Sequence, residues 1–268
     1  TLQQQPSPVS VAPLEAWKRI SELPVVIDQP IATRQLSLEG ATSFTRLTTE
    51  VMLSGSGYTG TGENVAYQSD VHQAVPAHLS QIDLCGTWTF GALTERLDEL
   101  EIVPPGDWWD YASFHRCALE GAALDLALQQ SQLNLAQLCD TSFSPLRFCV
   151  SMGLGSPPDA RRIHDWISAW PQIEFKIDAS REWNDSLVAE LAATNRICVV
   201  DIKGHYTGDW IDNTPDPELY RRIAQGMPGV LIEDAFLTDE TRAALGESAM
   251  ERLTWDAPIH NVRDLDAL

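Results

Sequence analysis

The chain has 268 residues and a mass of 29.7 kDa, which allows one large domain or two modest ones and exceeds the size of a disulfide-stapled miniprotein. Hydrophobic residues make up 44% and charged residues 21%, a composition that excludes a disordered or fibrous protein. The formal net charge is −20, and because such an acidic field repels phosphate backbones and anionic lipids, we expect no nucleic acid and no membrane as partner.

The N-terminal half has the pattern of a small α+β domain. A Gln-, Ser- and Pro-rich lead-in over Thr1–Pro13 precedes a short amphipathic segment, Leu14–Leu23. Near-alternating polar and apolar residues then predict strands over Ile31–Glu39 and Ser43–Leu53. Ser54–Gly57 is expected to form a flexible turn before the glycine-rich residues Gly60–Val65, so that the sheet has glycine-rich connections. A phosphate-binding loop is not expected there, because no strand leads through these glycines directly into a helix.

A helix rich in small residues is predicted over Ser113–Cys139, where Ala118, Ala122 and Leu126 recur at helical spacing. Beyond Pro145 the pattern changes to short apolar strands that alternate with helix-length polar segments, which is typical of βα units and a parallel sheet. The sequence therefore predicts a domain boundary between Asp140 and Pro145, and we divide the chain into residues 1–142 and 143–268.

Five strands and four helices are predicted in the second half. The strands are Leu146–Ser151, Ile173–Asp178, Ile197–Lys203, Gly229–Asp234 and Arg252–Asp256. The helices are Asp159–Trp170, Asn184–Ala193, Pro217–Gly226 and Thr238–Gly246. All of these strands except the first end in titratable residues, and in a parallel barrel such ends open onto one face.

Acids at the ends of three successive predicted strands form a candidate metal site. Asp201, Glu233 and Asp256 each follow apolar residues, so their carboxylates need a cation to offset their burial. Hard oxygen ligands suit Mg²⁺ best, with Mn²⁺ as the alternative ion. For any one of these acids, capping a helix or pairing with an arginine is an equally good interpretation. Three such acids at corresponding strand ends favour a metal site.

Two lysines accompany these acids. Strand alternation places Lys176 and Asp178 on one strand face, and likewise Asp201 and Lys203. A lysine beside a divalent cation in a partly dry pocket has a lowered pKa, which suits a general base that removes a proton from carbon. Neutralisation of surplus acid charge by ion pairs explains either lysine equally well.

These residues resemble the enolase superfamily, in its mandelate racemase and muconate lactonizing branch. Gly60–Glu63 is similar to the Gly-x-Gly-Glu turn of that family's capping domain, and Leu119–Ala127 resembles its Glu-x-Ala-x-x-Asp helix. Ile232-Glu233-Asp234 is similar to its Ile-Glu-(Glu or Asp)-Pro strand end, with Ala235 in place of proline. The resemblance implies an α/β protein in which an N-terminal α+β capping domain precedes a TIM-type β/α barrel, with Mg²⁺ held by Asp201, Glu233 and Asp256.

The resemblance also implies removal of the proton alpha to the carboxylate of a small substrate, through an enediolate that the metal stabilises. Dehydratases, racemases or epimerases, and cycloisomerases share this step, so a magnesium-dependent lyase or isomerase is expected. Asp178 stands where the family's Lys-x-Lys places its base, and Lys203 stands where asparagine is frequent. Lys176, Asp178 and Lys203 are therefore the candidates for moving protons. His260 is a candidate substrate-binding residue, with a solvated or capping role as the alternative.

The unusual base position motivates another hypothesis, a catalytically retired barrel that acts as a binding or scaffold protein. A metal-dependent aldolase or hydrolase on an ordinary TIM barrel would explain the strand-end acids but not the Gly-x-Gly-Glu residues. The second domain is also much shorter than the ~250 residues of a complete TIM barrel, so we expect a partial barrel taken from a longer protein. An open sheet exposes edges that need a partner, which leaves room for a homo-oligomer.

The cysteines indicate the compartment. They are odd in number, widely spaced and without a CxxC pair, so neither a disulfide framework nor a zinc site is expected. Each cysteine is expected to be a small buried hydrophobic residue in a reducing compartment. Because the sequence shows neither a signal peptide nor an apolar run of membrane-spanning length, a cytoplasmic protein is expected.

Overall fold

The structure is a computed structural model that describes residues 11–39, 45–104, 111–206, 214–259 and 264–265. The chain divides into two compact units, Thr1–Ser144 and Pro145–Leu268. Among the residues described, no helix is both long and apolar enough to cross a lipid bilayer.

The N-terminal unit is an α+β domain with two small antiparallel sheets. Its helices are α1 (Val11–Ser21), α2 (Ser69–Leu79), α3 (Phe90–Asp98), α4 (Ala112–Ser131) and α5 (Leu135–Leu138). Its strands are β1 (Pro24–Ile27), β2 (Ala32–Glu39), β3 (Thr45–Gly55), β4 (Tyr58–Asn64) and β5 (Gly86–Thr89). The order β2-β3-β4 forms one sheet, and β1 pairs with β5 in the other.

The turn predicted over Ser54–Gly57 is confirmed at Ser56 and Gly57, whereas Gly60–Glu63, which resembles a Gly-x-Gly-Glu turn, lies within β4. Ser56 and Gly57 connect β3 to β4 with φ of 52° and 83°, the left-handed pair that a tight hairpin needs. The glycines of β4 serve packing instead. A Cβ on Gly60 would lie 2.2 Å from the Ala122 carbonyl oxygen, and one on Gly62 would lie 2.0 Å from that of Ala118. Helix α4 therefore packs directly on the backbone of β4.

Helix α4 is shorter than the predicted Ser113–Cys139. It ends at Ser131, because Gln132 adopts a left-handed conformation with φ of 55°. Asn134 and Gln137 then form a reciprocal capping box that begins the separate helix α5. Within α4, Asp125 accepts a hydrogen bond from the backbone N–H of Thr61 at 2.9 Å, which fixes the helix against β4.

The core of the N-terminal unit contains neutral polar side chains as well as apolar ones. His72 Nδ1 lies 2.9 Å from Thr49 Oγ1, and His72 Nε2 lies 2.8 Å from the carbonyl oxygen of Ala66. Asn64 accepts from the Ala66 N–H and hydrogen-bonds His115 Nδ1 at 2.8 Å. Only His115 Nε2 lacks a hydrogen-bond partner in this group.

The C-terminal unit is a parallel five-stranded sheet with helical connections, in the order β10-β9-β8-β7-β6. Its strands are β6 (Cys149–Gly153), β7 (Glu174–Asp178), β8 (Ile197–Asp201), β9 (Leu231–Glu233) and β10 (Leu253–Thr254). Its helices are α6 (Arg161–Ala169), α7 (Asp185–Ala193), α8 (Pro217–Gly226), α9 (Asp239–Leu245) and α10 (Glu247–Met250). All predicted strands and helices of this half are confirmed, with ends that differ by a few residues.

The largest shift concerns β6, predicted over Leu146–Ser151. Pairing with β7 begins only at Cys149, opposite Glu174, while the side chains of Leu146 and Phe148 before it are exposed. Apolar character at these positions therefore does not reflect burial in this chain.

The expectation of buried cysteines is wrong as well. All five are free thiols, but Cys85, Cys117 and Cys149 are exposed, and Cys139 and Cys198 are half-buried. In α4 the buried face belongs to Ala118, Leu119 and Ala122, so Cys117 points away from it.

Candidate active site

Strand register brings three acids side by side at the carboxyl edge of the C-terminal sheet. Asp178 ends β7 and is paired with Asp201 at the end of β8, which is paired with Glu233 at the end of β9. Asp201 is fully buried and Glu233 nearly so. The apolar residues that precede each acid pack into the core, so the sequence places charged groups where buried strands end.

Lys176 is centred between two of these acids. Its Nζ contacts Glu233 Oε1 and lies 3.4 Å from Asp201 Oδ2. The Lys176 side chain is 22% exposed, so this ammonium is largely withdrawn from water. One cation thus bridges the carboxylates of neighbouring strands, which agrees with the ion-pair interpretation of Lys176.

Lys203 bridges a second pair of acids. Its Nζ lies 2.7 Å from Asp201 Oδ2 and 3.2 Å from Asp178 Oδ1, while its backbone N–H donates to Asp201 Oδ1 at 2.9 Å. Strand alternation is not what places it there, because β8 ends at Asp201 and Lys203 has a φ of 57°. The left-handed turn folds the lysine back over the acid that precedes it.

The charges of this cluster shift its pKa values. Burial alone would lower the pKa of Lys203, but hydrogen bonding and attraction from Asp201 and Asp178 outweigh burial and raise it. The same balance, with Glu233 and Asp201 as partners, raises the pKa of Lys176. Both directions hold for the cluster without a metal ion, and the lowered lysine pKa expected beside a divalent cation stays a prediction. Burial raises the pKa of Glu233, which the ammonium of Lys176 only partly offsets.

Asp234 is a buried acid that sequence reasoning did not single out. One carboxylate oxygen each of Asp201, Glu233 and Asp234 lies within 4.8 Å of the others, and no other such group of potential metal ligands exists in the described ranges. Asp234 has a φ of 54°, which turns its side chain toward the residues after β10. Its carboxylate accepts hydrogen bonds from the backbone N–H groups of Asp256 and Ala257.

The remaining predicted site residues are less closely held. Asp256 follows β10 at the same edge of the sheet, but its side chain is exposed and is not part of the three-acid group. Its assignment as a metal ligand stays a prediction, as do the proton-moving roles of Lys176, Asp178 and Lys203. His260 lies outside the residues that the structure describes.

Aromatic rings stand beside the cluster, on the segments that follow β8 to β10. The His205 ring packs 5.5 Å from Phe236 and 5.6 Å from Trp255, centroid to centroid. Lys203 Nζ lies 4.8 Å from the centre of the Tyr206 ring. The Tyr206 ring therefore provides a cation–π contact to the Lys203 ammonium.

The sequence contains a signal for this site that its motifs do not show. The chain has three lysines, Lys18, Lys176 and Lys203, and all its other basic residues apart from histidine are arginines. Elsewhere among the described residues most ion pairs use arginine, such as that of Arg222 with Asp185, and Lys18 makes an exposed pair with Glu15. A compact, titratable amine is thus used almost exclusively at the cluster, and only lysine supplies one.

The donor set fits a hard divalent cation. All candidate ligand atoms are carboxylate oxygens, which Mg²⁺ prefers, and Lys176 Nζ already occupies a cation position between Asp201 and Glu233. A metal ion at this position requires the ammonium to withdraw. Asp234 fits less well as a ligand, because both of its carboxylate oxygens accept backbone hydrogen bonds.

The family known as domain of unknown function DUF8230 matches the chain in both halves. Its N-terminal domain matches residues 18–138 and its C-terminal domain matches residues 142–268. None of the curated proteins matches the chain in sequence.

Several solved structures are similar over most of the chain. The muconate lactonizing enzyme from Pseudomonas putida is 17% identical with a TM-score of 0.59, covering 91% of this chain and 69% of that one. A dipeptide epimerase from Methylococcus capsulatus complexed with Mg ion is 18% identical with a TM-score of 0.61, covering 91% and 70%. An unknown member of the enolase superfamily from Enterococcus faecalis V583 is 20% identical with a TM-score of 0.58, covering 91% and 68%.

At these identities the similarity establishes the fold. The five parallel strands in order and the separate α+β unit agree with it. The chain carries both DUF8230 domains and has the fold that these enolase-superfamily structures share, an α+β capping domain followed by a partial β/α barrel.

Proposed function

We propose that this chain is a magnesium-dependent enzyme of the lyase or isomerase type that removes the proton alpha to the carboxylate of a small substrate. The observation that supports this most is the pair of largely buried lysines, each placed between two carboxylates at adjacent strand ends. Buried charges of this kind cost stability and rarely persist without a role in binding or catalysis.

The metal would be held by Asp201 and Glu233, with Asp256 as the third ligand. When bound, Mg²⁺ supplies positive charge that offsets the negative charge developing on the substrate carboxylate as the alpha proton leaves. Withdrawal of Lys176 from these ligands frees its ammonium to pair with that carboxylate. Asp178 is not one of the proposed ligands, and its carboxylate stays in contact with Lys203.

Asp178 and Lys203 form the proposed proton-transfer pair. Asp178 Oδ1 lies 3.2 Å from Lys203 Nζ as its ion-pair partner. With the negative charge of Asp201 shared by a bound divalent cation, Lys203 would release a proton to solvent, and the neutral amine, held by Asp178, would take the alpha proton of the substrate. The substrate is left with the electron pair of the broken C–H bond, and Lys203 returns to the ammonium form.

Exchange of alpha protons with deuterated solvent tests this chemistry directly. The protein with Mg²⁺ is incubated in D₂O with dipeptides, muconolactone and a panel of other carboxylic and amino acids, and deuterium incorporation is followed by NMR. We expect incorporation into at least one substrate, and a loss of about 10²–10⁴-fold in Lys203→Met and Asp178→Asn. Lys18→Met, which removes the lysine outside the cluster, is the matched control and should exchange like the unmodified protein.

Calorimetric titration with Mg²⁺ tests the ligands separately. Asp201→Asn and Glu233→Gln are expected to abolish or greatly weaken Mg²⁺ binding, and unchanged affinity in both variants would show that the proposed site is wrong. Mg²⁺ binding without deuterium incorporation into any compound of the panel would instead favour the retired barrel that acts as a binding or scaffold protein.

A further inference from the structure

Asp234 contacts the chain in a way that none of the other site acids does. It is completely buried, and both oxygens of its carboxylate are directed at backbone N–H groups beyond β10. Oδ1 accepts from Asp256 at 2.8 Å and from Ala257 at 3.2 Å, and Oδ2 accepts from Ala257 at 3.0 Å. A carboxylate that accepts several backbone N–H bonds is stabilised as the anion and held in one orientation.

The backbone of Asp234 ties the neighbouring strand ends together as well. Its N–H donates to the Thr254 carbonyl at 3.0 Å on one side, and its carbonyl accepts from the Gly204 N–H at 2.8 Å on the other. Gly204 is needed for this approach, because a Cβ there would lie 2.6 Å from the Phe236 nitrogen. One residue thus links the segments that follow β8 and β10.

Its left-handed conformation explains the direction of its side chain. In a regular strand, Glu233 and Asp234 would point to opposite faces of the sheet. With a φ of 54°, Asp234 leaves the strand and directs its carboxylate along the edge toward Asp256. Glu233 remains on the side of Lys176.

We propose that Asp234 is a positioning residue that fastens the segment after β10 and thereby places the Asp256 carboxylate at the metal site, without serving as a ligand itself. This inference rests on the proposed function, because it gives Asp256 its role as ligand. Residues that orient a ligand in this way typically change metal affinity by about 10–100-fold when they are removed.

The fastening itself can be tested without metal, by amide hydrogen exchange followed by NMR. Asp234→Ala removes both acceptor oxygens and should accelerate exchange at the Asp256 and Ala257 amides at least about tenfold, with the Val200 and Ile232 amides unchanged. Asp234→Asn keeps one acceptor oxygen and should give an intermediate rate. Glu251→Gln removes one exposed charge from the same unit and should change neither amide. Equal exchange at Asp256 and Ala257 in all variants would overturn the inference.

Calorimetry with Mg²⁺ alone then separates positioning from direct ligation. We expect Asp234→Ala to weaken Mg²⁺ binding about 10–100-fold, Asp234→Asn to restore part of it, and Asp234→Ala to add nothing once Asp256→Asn is present. A further loss in that double variant would show that Asp234 acts independently of Asp256, and would overturn the inference. An unmodified protein that binds no Mg²⁺ would refute the proposed function, whereas accelerated exchange in Asp234→Ala would still establish the fastening.

Discussion

Among the described residues, the buried polar side chains of the N-terminal unit carry hydroxyl, amide or imidazole groups, whereas those of the C-terminal unit, apart from Thr241, are carboxylates. Thr49, Asn64, His72 and His115 lie within the N-terminal core and hydrogen-bond one another or the backbone. The C-terminal unit instead gathers carboxylates and ammonium groups at the carboxyl edge of its sheet. Neutral groups with partners cost little to bury, while charges remain expensive even when they are paired. The first group maintains the fold, and the second is the group to which the proposed function assigns binding and chemistry.

Among the changes that test this comparison, removal of Lys176 should have the largest effect on the free energy of unfolding. Lys176→Met leaves Glu233 without its ammonium, and we expect a loss of about 3 kcal/mol in unfolding free energy, at the low end for a buried pair because Lys176 is partly exposed. Millimolar Mg²⁺ should recover much of this loss and stabilise the variant more than the unmodified protein, because the ion takes the place of the ammonium. Denaturant unfolding with and without Mg²⁺ measures both effects.

Lys18→Met is the control for that experiment, because Lys18 is exposed and its ion pair with Glu15 is on the surface. It should change stability by less than about 1 kcal/mol, with no response to Mg²⁺. If Mg²⁺ fails to stabilise Lys176→Met, the lysines of the cluster are permanent structural ion pairs. The proposal that the charged cluster of the C-terminal unit binds a metal ion would then be wrong.

His115 tests the neutral network through pH. Burial, followed by the nearby charges of His78 and His72, lowers the pKa of His115 from 6.5 to about 4. The unfolded chain therefore takes up a proton in this range before the folded chain does, so the stability is complete above pH 6.5 and is lost as pH falls toward 4. The expected loss is about 3 kcal/mol. Hydrogen exchange of the buried α4 amides reports it.

The variant His115→Asn should remove this pH dependence, while His164→Gln, which replaces an exposed histidine of the other unit, should leave it unchanged. A pH profile of the α4 amides that is the same in all three proteins would show that the N-terminal network does not depend on neutral histidine.

The contact of α4 with β4 gives the smallest expected effect. In Gly62→Ala the new methyl group would overlap the Ala118 carbonyl, so we expect a loss of about 1–3 kcal/mol as the helix is displaced. Gly121→Ala is the matched control, because its methyl group would have 3.6 Å to the nearest atom, the Gly62 Cα. This second change should stabilise the helix by about 0.5–1 kcal/mol. Thermal unfolding of the two variants should shift in opposite directions.

Much of the C-terminal unit could be predicted because its sequence alternates apolar strands with helix-length segments of clear amphipathic pattern. Helix α8 is confirmed at both ends, since Asp216 caps it and Pro217 begins it. The convergence of Asp178, Asp201 and Glu233 follows from the rule that parallel strands end on one side. The contacts of Lys203 could not be predicted, because they depend on the left-handed turn that follows β8.

The sequence-based predictions are wrong where one residue type can serve two structural purposes. Glycines mark turns in most sequences, but Gly60 and Gly62 are required by a helix that packs against the strand, a contact between residues about sixty positions apart. The sequence pattern includes Asp234 in the strand over Gly229–Asp234, whereas the left-handed conformation of Asp234 directs its side chain to Asp256. No periodic pattern reveals such a turn, because it is determined by the hydrogen bonds that the side chain gains.

The scarcity of lysine has a practical consequence. In protein labelled with ¹⁵N only at lysine, the spectrum of this chain would contain three side-chain ammonium signals, and two of them would come from Lys176 and Lys203. Both sit in hydrogen-bonded, largely buried positions that slow proton exchange, while Lys18 is exposed. The cluster therefore carries its own spectroscopic reporters, and the arrival of a cation or a carboxylate ligand can be observed at the residues it would displace without adding a probe.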